Sequence, residues 1–302
     1  MNSDFPAVLP ELGPLVVGVD GSPQAHTATL WAADEAARRG HALRLVHAAD
    51  TDRKALFAPA ETIEATRQAG RDLLAETATA VRDRFAGLTV TEELSSLQPM
   101  AALRAAAGTR GTIVVGSRGL GGFSALLLGS VGLGVVARSE VPVIVVRGET
   151  DRPETGTVTA AVRSAADLKW LFVAAAEAEA RKASLRLLGV WNVLRYAGSV
   201  VTMLDDLDEI AHARVREVKE LGDAVRNAYP GLTVSHGVDT ATSVPGALVE
   251  ASAHTDLLVL GSHRRPLHLG SHLGRIPHAA LHHAHCPVEV VPPGFDAGAP
   301  GG

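Results

Sequence analysis

Four short segments recur in the same order in the two halves of this 302-residue chain. Leu43-Arg44-Leu45-Val46 returns as Leu185-Arg186-Leu187-Leu188, 142 residues on. Gly87-Leu88-Thr89-Val90 returns as Gly231-Leu232-Thr233-Val234 after 144 residues. Val115-Gly116-Ser117 and Val141-Pro142-Val143 return as Leu260-Gly261-Ser262 and Cys286-Pro287-Val288, both after 145. The offset drifts so little that the halves are collinear, and whatever one half folds into, the other must fold into as well. The repeat, roughly 140–150 residues, is an ordinary domain size. The joint from Gly148 to Glu154 is polar and holds Pro153, as linkers do. The chain therefore divides into a domain over 1–148, a second over 154–293, and a Pro/Gly/Ala-rich tail over 294–302 that is expected to be disordered.

Within each half, short apolar runs alternate with longer helical patterns. In the first, strands are expected at Leu15–Val19, Ala42–His47, Thr89–Leu94, Thr112–Val115 and Val143–Val146. Helices are expected at Ala28–Arg39, with Gly40 as a natural stop, and at Glu61–Phe85, Pro99–Ala107 and Ser124–Arg138. In the second half the strands fall at Val158–Val162, Ser184–Val190, Leu232–Gly237, Leu257–Leu260 and Val288–Val291. Runs such as Thr112-Ile113-Val114-Val115 are apolar throughout, the pattern of a parallel strand covered on both faces. The alternation predicts two tandem doubly wound α/β domains. Right-handed crossovers then bring every strand's C-terminal end to one edge, where ligands bind. Aromatic residues are only 4% of the chain, so Ala, Val and Leu must fill the cores, with Trp31 and Trp170 read as core residues of helices.

Charge and hydropathy exclude some classes. Lys and Arg number 28 against 33 Asp and Glu, a net charge of −5, so a generally basic nucleic-acid binder is not expected. No apolar run reaches the ~18 residues of a membrane helix. The N-terminal Met1-Asn2-Ser3-Asp4 shows no signal peptide. Cys286 is the single cysteine, which rules out an intramolecular disulfide and fits the cytoplasm. Its expected role is that of a small, partly buried hydrophobe.

The chemistry concentrates in Val115-Gly116-Ser117-Arg118-Gly119-Leu120-Gly121-Gly122, directly after the fourth strand, and in Gly129-Ser130-Val131 beyond it. Glycines let backbone N–H groups ring an anion, and the following helix adds its positive end. Ser130 brings a hydroxyl and Arg118 a cation suited to phosphate. The spacing is neither the dinucleotide fingerprint nor a Walker loop, which needs Gly-Lys-Ser/Thr.

Gly116-x2-Gly119-x9-Gly129-Ser130 resembles the ATP-binding motif of the ATP-binding branch of the universal stress proteins. Val16-Val17-Gly18-Val19-Asp20-Gly21-Ser22 is similar to that family's first strand and loop, and Leu43-Arg44-Leu45-Val46-His47-Ala48 to its second strand. The resemblance implies a five-stranded parallel sheet in the order 3-2-1-4-5 in each half, and an adenine nucleotide in the first: ATP, alone or with Mg²⁺. It implies adenine and ribose contacts at Gly18, Asp20 and the backbone of Ala48. It implies phosphate contacts at Gly116, Ser117, Arg118, Gly119, Gly122, Gly129, Ser130 and Val131. It also implies pairing through the fifth strand, so the halves are expected to pair with each other, with a homodimer as a further step. From the residues alone, Asp20 suits a ribose or adenine hydrogen bond and equally a helix cap, while His47 reads as a packed strand-end residue.

The second half departs from the pattern. Arg264 and Arg275 stand where the first half has Gly119 and Ser130, and Gly261 and Gly274 keep the other glycines. An offset of 142 puts Val162, Ala160 and Arg163 at the places of Asp20, Gly18 and Gly21. This half is expected to keep the fold and lose the nucleotide geometry. Seven of 13 histidines lie between His263 and His285, with His278 and His282 one helical turn apart; surface or interface histidines are expected there, not a metal site. No Walker lysine and no catalytic triad is evident, so any enzymatic role is limited to slow ATP hydrolysis. The expectation is an ATP-binding stress-response or regulatory protein, with a nucleotide-free interaction module as the rival.

Overall fold

The computed structural model describes residues 12–119, 128–147, 153–192, 204–262 and 273–295, with the side chains of 204–208 and 210 left aside. It divides into two compact units, one holding the first five strands and the other the second five.

In the first unit the strands are β1 (Leu15–Gly18), β2 (Leu43–Ala48), β3 (Val90–Ser95), β4 (Thr112–Gly116) and β5 (Val143–Val146). The helices are α1 (Pro23–Arg39), the short α2 (Thr51–Lys54), α3 (Ala60–Arg84), α4 (Pro99–Ala107) and α5 (Ser130–Arg138). All pairings are parallel, in the order β3-β2-β1-β4-β5. β1, with Leu15, Val16 and Val17 almost wholly buried, lies between β2 and β4. The core beneath it is built from small residues: Ala28, Ala32, Ala33 and Ala36 of α1 lie against Val17, Leu45 and Val114. Alanine lets the helix approach the sheet closely, which suits a chain so poor in aromatics.

The second unit repeats the plan with β6 (Thr157–Val162), β7 (Ser184–Trp191), β8 (Val234–Thr240), β9 (Leu257–Gly261) and β10 (Val288–Val291). Its helices are α6 (Leu168–Ala180), α7 (Leu204–Ala228), α8 (Val244–Ala251) and α9 (Arg275–His283). The pairings are again parallel and follow the same order, β8-β7-β6-β9-β10. Trp170 is buried and Trp31 is half-buried against the first core.

Three expectations are corrected. The helix foreseen from Ser124 starts at Ser130; residues 124–127 lie outside the described residues, and Gly129 holds extended backbone at φ −70°, ψ 156°. The strand foreseen from Leu232 starts at Val234, because the Leu232 N–H closes a turn onto the Tyr229 carbonyl at 3.0 Å. Finally, the register moves the second-half counterparts by one residue. Leu15 faces Thr112 and Leu43, whereas Val158 faces Leu257 and Leu185. The connection from the first to the second strand is thus one residue shorter in the second unit. Asp20 corresponds to Arg163, not Val162, and Gly18 to Ala161.

Both units hold a buried ion pair on the first long helix. Arg39 Nε donates to Glu35 Oε1 at 2.9 Å with both side chains inaccessible, and Arg39 also reaches Thr112 Oγ1 at 3.0 Å. Its counterpart joins Arg181 to Glu177 at 3.8 Å.

Candidate functional site

In the order 3-2-1-4-5 the winding reverses between β1 and β4, and an open sheet leaves a crevice at such a point. A cavity of about 450 Å³ lies there, within the range of small-molecule sites. β1 and its exit supply Gly18, Val19 and Asp20; β2 supplies Val46, His47 and Ala48; β4 and its exit supply Val115, Gly116, Arg118 and Gly119. α4 brings Pro99 and Leu103, and α5 with its cap brings Gly129, Ser130, Val131 and Gly132.

One end of this cavity is apolar and the other is backbone-rich. Val19, Val46 and Val115 are buried and Leu103 is 3% exposed, so their walls are well packed. At the other end, Gly129 caps α5 without a side chain to satisfy the first turn. The N–H groups of Ser130, Val131 and Gly132 belong to that turn, where no intrahelical acceptor exists. Backbone crowding requires glycine at Gly116 on the rim, and at Gly119 glycine leaves room for the Asp20 carboxylate. A Cβ on Gly119 would collide with Asp20 Oδ2, and one on Gly116 would come within 2.7 Å of the Gln24 carbonyl oxygen.

Asp20 Oδ1 accepts the Ser22 N–H at 2.9 Å. The cap of α1 is Ser22 itself, whose hydroxyl accepts the Ala25 N–H at 3.1 Å, with Pro23 in the first turn. Of the two roles open to Asp20, the helix cap is therefore held by its neighbour, and the carboxylate sits at the cavity against Gly119. His47 is tied down as expected: its Nδ1 lies 2.8 Å from the Val19 carbonyl oxygen and must donate to it. Its ring lies over Gly70 of α3, where a Cβ would come within 2.7 Å of His47 Cδ2.

Of the sequence-selected residues, Gly18, Asp20, Ala48, Gly116, Arg118, Gly119, Gly129, Ser130 and Val131 all line this cavity. Ser117 does not. Its N–H bonds the Val146 carbonyl at 3.1 Å and its carbonyl accepts the Gly129 N–H at 2.9 Å, so its backbone holds the loop's two ends together. Gly122 lies outside the described residues. Val19, Val46, Pro99, Leu103, Val115 and Gly132 were not selected. Pro99 and Leu103 are spaced i, i+4 on α4, which signals one helix face but not which wall it forms.

The corresponding place in the second unit holds a cavity of about 40 Å³. Its lining includes Ala161, Val162, Arg163, Leu188, Val190 and Leu260. The buried Asp167 accepts the N–H groups of Arg163 at 2.6 Å and Ser164 at 3.2 Å, and the Trp170 indole N–H at 3.0 Å. The indole lies against Gly261, so a Cβ there would collide with it. On α9 the His278 and His282 rings stack with centroids 4.4 Å apart. Among the described residues no three His, Cys, Asp or Glu gather in a metal-binding group. None of their helices is long and apolar enough to cross a membrane. Cys286 is buried, as a small hydrophobe would be.

The pattern of the Universal stress protein family matches residues 12–147 and again 155–292. The chain is 37% identical over 138 residues to universal stress protein Rv2005c of Mycobacterium tuberculosis, which is 46% of this chain and 46% of that relative, so the match spans about half of its length. Universal stress protein Rv2624c of the same organism is 26% identical over 301 residues, covering 93% of this chain and 97% of that one. Among solved structures, a universal stress protein from Archaeoglobus fulgidus aligns over 94% of this chain and 100% of its own, with a TM-score of 0.68 and 17% identity, a likeness of fold.

Proposed function

Because the chain belongs to the universal stress protein family, with one family domain in each half, we propose that it is a cytoplasmic stress-response regulatory protein whose first half binds an adenine nucleotide, ATP. The observation that carries this reading is the cavity at the first unit's winding reversal, apolar at one end and lined by glycine backbone and a helix N-terminus at the other. The residues fit such a ligand. Val19, Val46 and Leu103 offer walls for a purine, beside Gly18 and the Ala48 backbone. Asp20 would accept from a ribose hydroxyl. Gly116, Arg118, Gly119, Gly122, Gly129, Ser130 and Val131 would receive the phosphates, with the Ser117 hydroxyl as that residue's remaining contribution. Arg118 is the one formal cation among the described lining residues, so a triphosphate would bring Mg²⁺ to balance its charge.

The chain's role on this reading is to bind and report. Nucleotide would change assembly or partner affinity only through a difference in affinity between two states. Calorimetric titration of ATP into nucleotide-stripped protein tests the reading. About one site per chain, lost in Gly119→Arg, is the expected result. Two equivalent sites would overturn the assignment to the first half, and no binding of any adenine nucleotide would favour the interaction module.

A further inference from the structure

We propose that Gly132 and Ala48 decide which half of the chain admits the nucleotide, Gly132 both as open space and as a donor. The inference rests on the function proposed above and names two residues that make it specific to one half.

The two cavities have the same walls in different sizes. Gly18, Val46 and Val115 in the first correspond by register to Ala161, Leu188 and Leu260 in the second. Each exchange adds a single carbon. The two largest steps among the apolar walls are Ala48 to Val190, at the end of the second strand, and Gly132 to Pro277, in the first turn of the last helix, while Asp20 to Arg163 puts a longer, charged side chain at the rim. Together these exchanges accompany a fall from about 450 to about 40 Å³.

Gly132 carries a second consequence. It is the third residue of α5, so its N–H is one of the unpaired donors of the first turn. Pro277 is the third residue of α9 and has no N–H to offer. The exchange therefore narrows the cavity and deletes a donor at the phosphate end. The helices are otherwise matched. Both have nine residues, and both follow a glycine in extended backbone, Gly129 at φ −70° and Gly274 at φ −62°. The fold thus accepts proline at this position. A methyl group at Gly132 meets side-chain atoms and no backbone: a Cβ would lie 3.2 Å from Leu128 Cδ1, which must shift by a few tenths of an ångström, and 3.7 Å from Val115 Cγ2.

The test compares the nucleotide-stripped wild-type chain with Gly132→Ala, Gly132→Pro and the Ala48→Val/Gly132→Pro double variant. Each is titrated with ATP by calorimetry and, separately, with anilinonaphthalene sulfonate by fluorescence, a dye that reads an apolar cavity without requiring nucleotide recognition. Circular dichroism and thermal melting confirm folding. Gly132→Ala, which keeps the N–H, is expected to weaken ATP binding less than about threefold. Gly132→Pro is expected to weaken it at least 30-fold, and the double variant to lose both ATP and dye. A folded double variant that binds ATP like wild type overturns the inference and leaves the proposed function standing. If wild type takes the dye but binds no adenine nucleotide, the proposed function falls and the inference falls with it. Should the double variant not fold, the reciprocal Val190→Ala/Pro277→Gly change decides, because it must add a dye site in the second half; no added site overturns the proposal.

Discussion

The first sheet's central strand leaves its edge as Gly18-Val19-Asp20 and the second sheet's as Ala161-Val162-Arg163. In the first unit a carboxylate lies at the cavity rim and accepts the Ser22 N–H of the following turn. In the second an arginine takes that position, and the carboxylate moves four residues on to Asp167, where it is buried under the Trp170 indole. Sheet order and the ion pair on the first long helix survive in both. The difference teaches that the frame and the cavity are set by separate residues. Side chains facing the sheet core hold the architecture, and those at the strand ends are free to open or fill the crevice.

The shared frame offers the largest effect. Glu35→Ala and Glu177→Ala each leave an arginine buried beside a lost partner, which destabilises by about 3–5 kcal/mol. Urea unfolding should show similar losses for the two variants; a loss in only one would mean that the frame is not held alike in both units. Next comes the cavity. Gly119→Arg imports the second half's residue at a point where even a Cβ would meet Asp20. ATP affinity should fall at least 100-fold, about 2.7 kcal/mol, while Arg264→Gly should leave the stoichiometry near one, because the second cavity is closed by its walls. Asp20→Ala should weaken ATP by about tenfold, near 1.4 kcal/mol, and Arg163→Ala should change ATP binding not at all. Equal losses in these two variants would erase the contrast between the halves.

The smallest effect separates the units by pH. Tyr229 corresponds to Phe85, and burial pushes its phenol well above the usual tyrosine range. Above pH ~10 the unfolded chain releases a proton that the folded chain retains, so the contribution is intact below that pH and lost as it rises. Amide exchange in the second unit's core should quicken above that pH relative to the first. Tyr229→Phe should remove the difference.

Most of the architecture was readable because buried parallel strands are uninterrupted apolar runs: β5 and β10 begin and end where the runs do, β1 and β4 differ by a residue at one end, and β2 by a residue at each. The start of α5 was not, since Leu126, Leu127 and Leu128 continue a helical pattern that Gly129 breaks by backbone geometry alone. The glycine-rich loop and Asp20 pointed to the edge of the sheet where the larger cavity lies. The apolar walls were invisible, because Val, Leu and Ile exchanges preserve the pattern that marks a strand while changing the volume left beside it. The pairing of Asp20 with Arg163 also needed the strand register, as one residue lost between β6 and β7 shifts a sequence comparison by one place.

All described residues lining the larger cavity precede Arg147, and β5, the last strand of the first sheet, ends at Val146. The second sheet is complete only at Val291. At the usual pace of synthesis, about 5–20 residues per second, the ribosome needs roughly 7–30 s to make the stretch between these strands. A nascent chain would hold every residue of its nucleotide site during that interval, so ligand present in the cell could stabilise the first domain before the second has been translated.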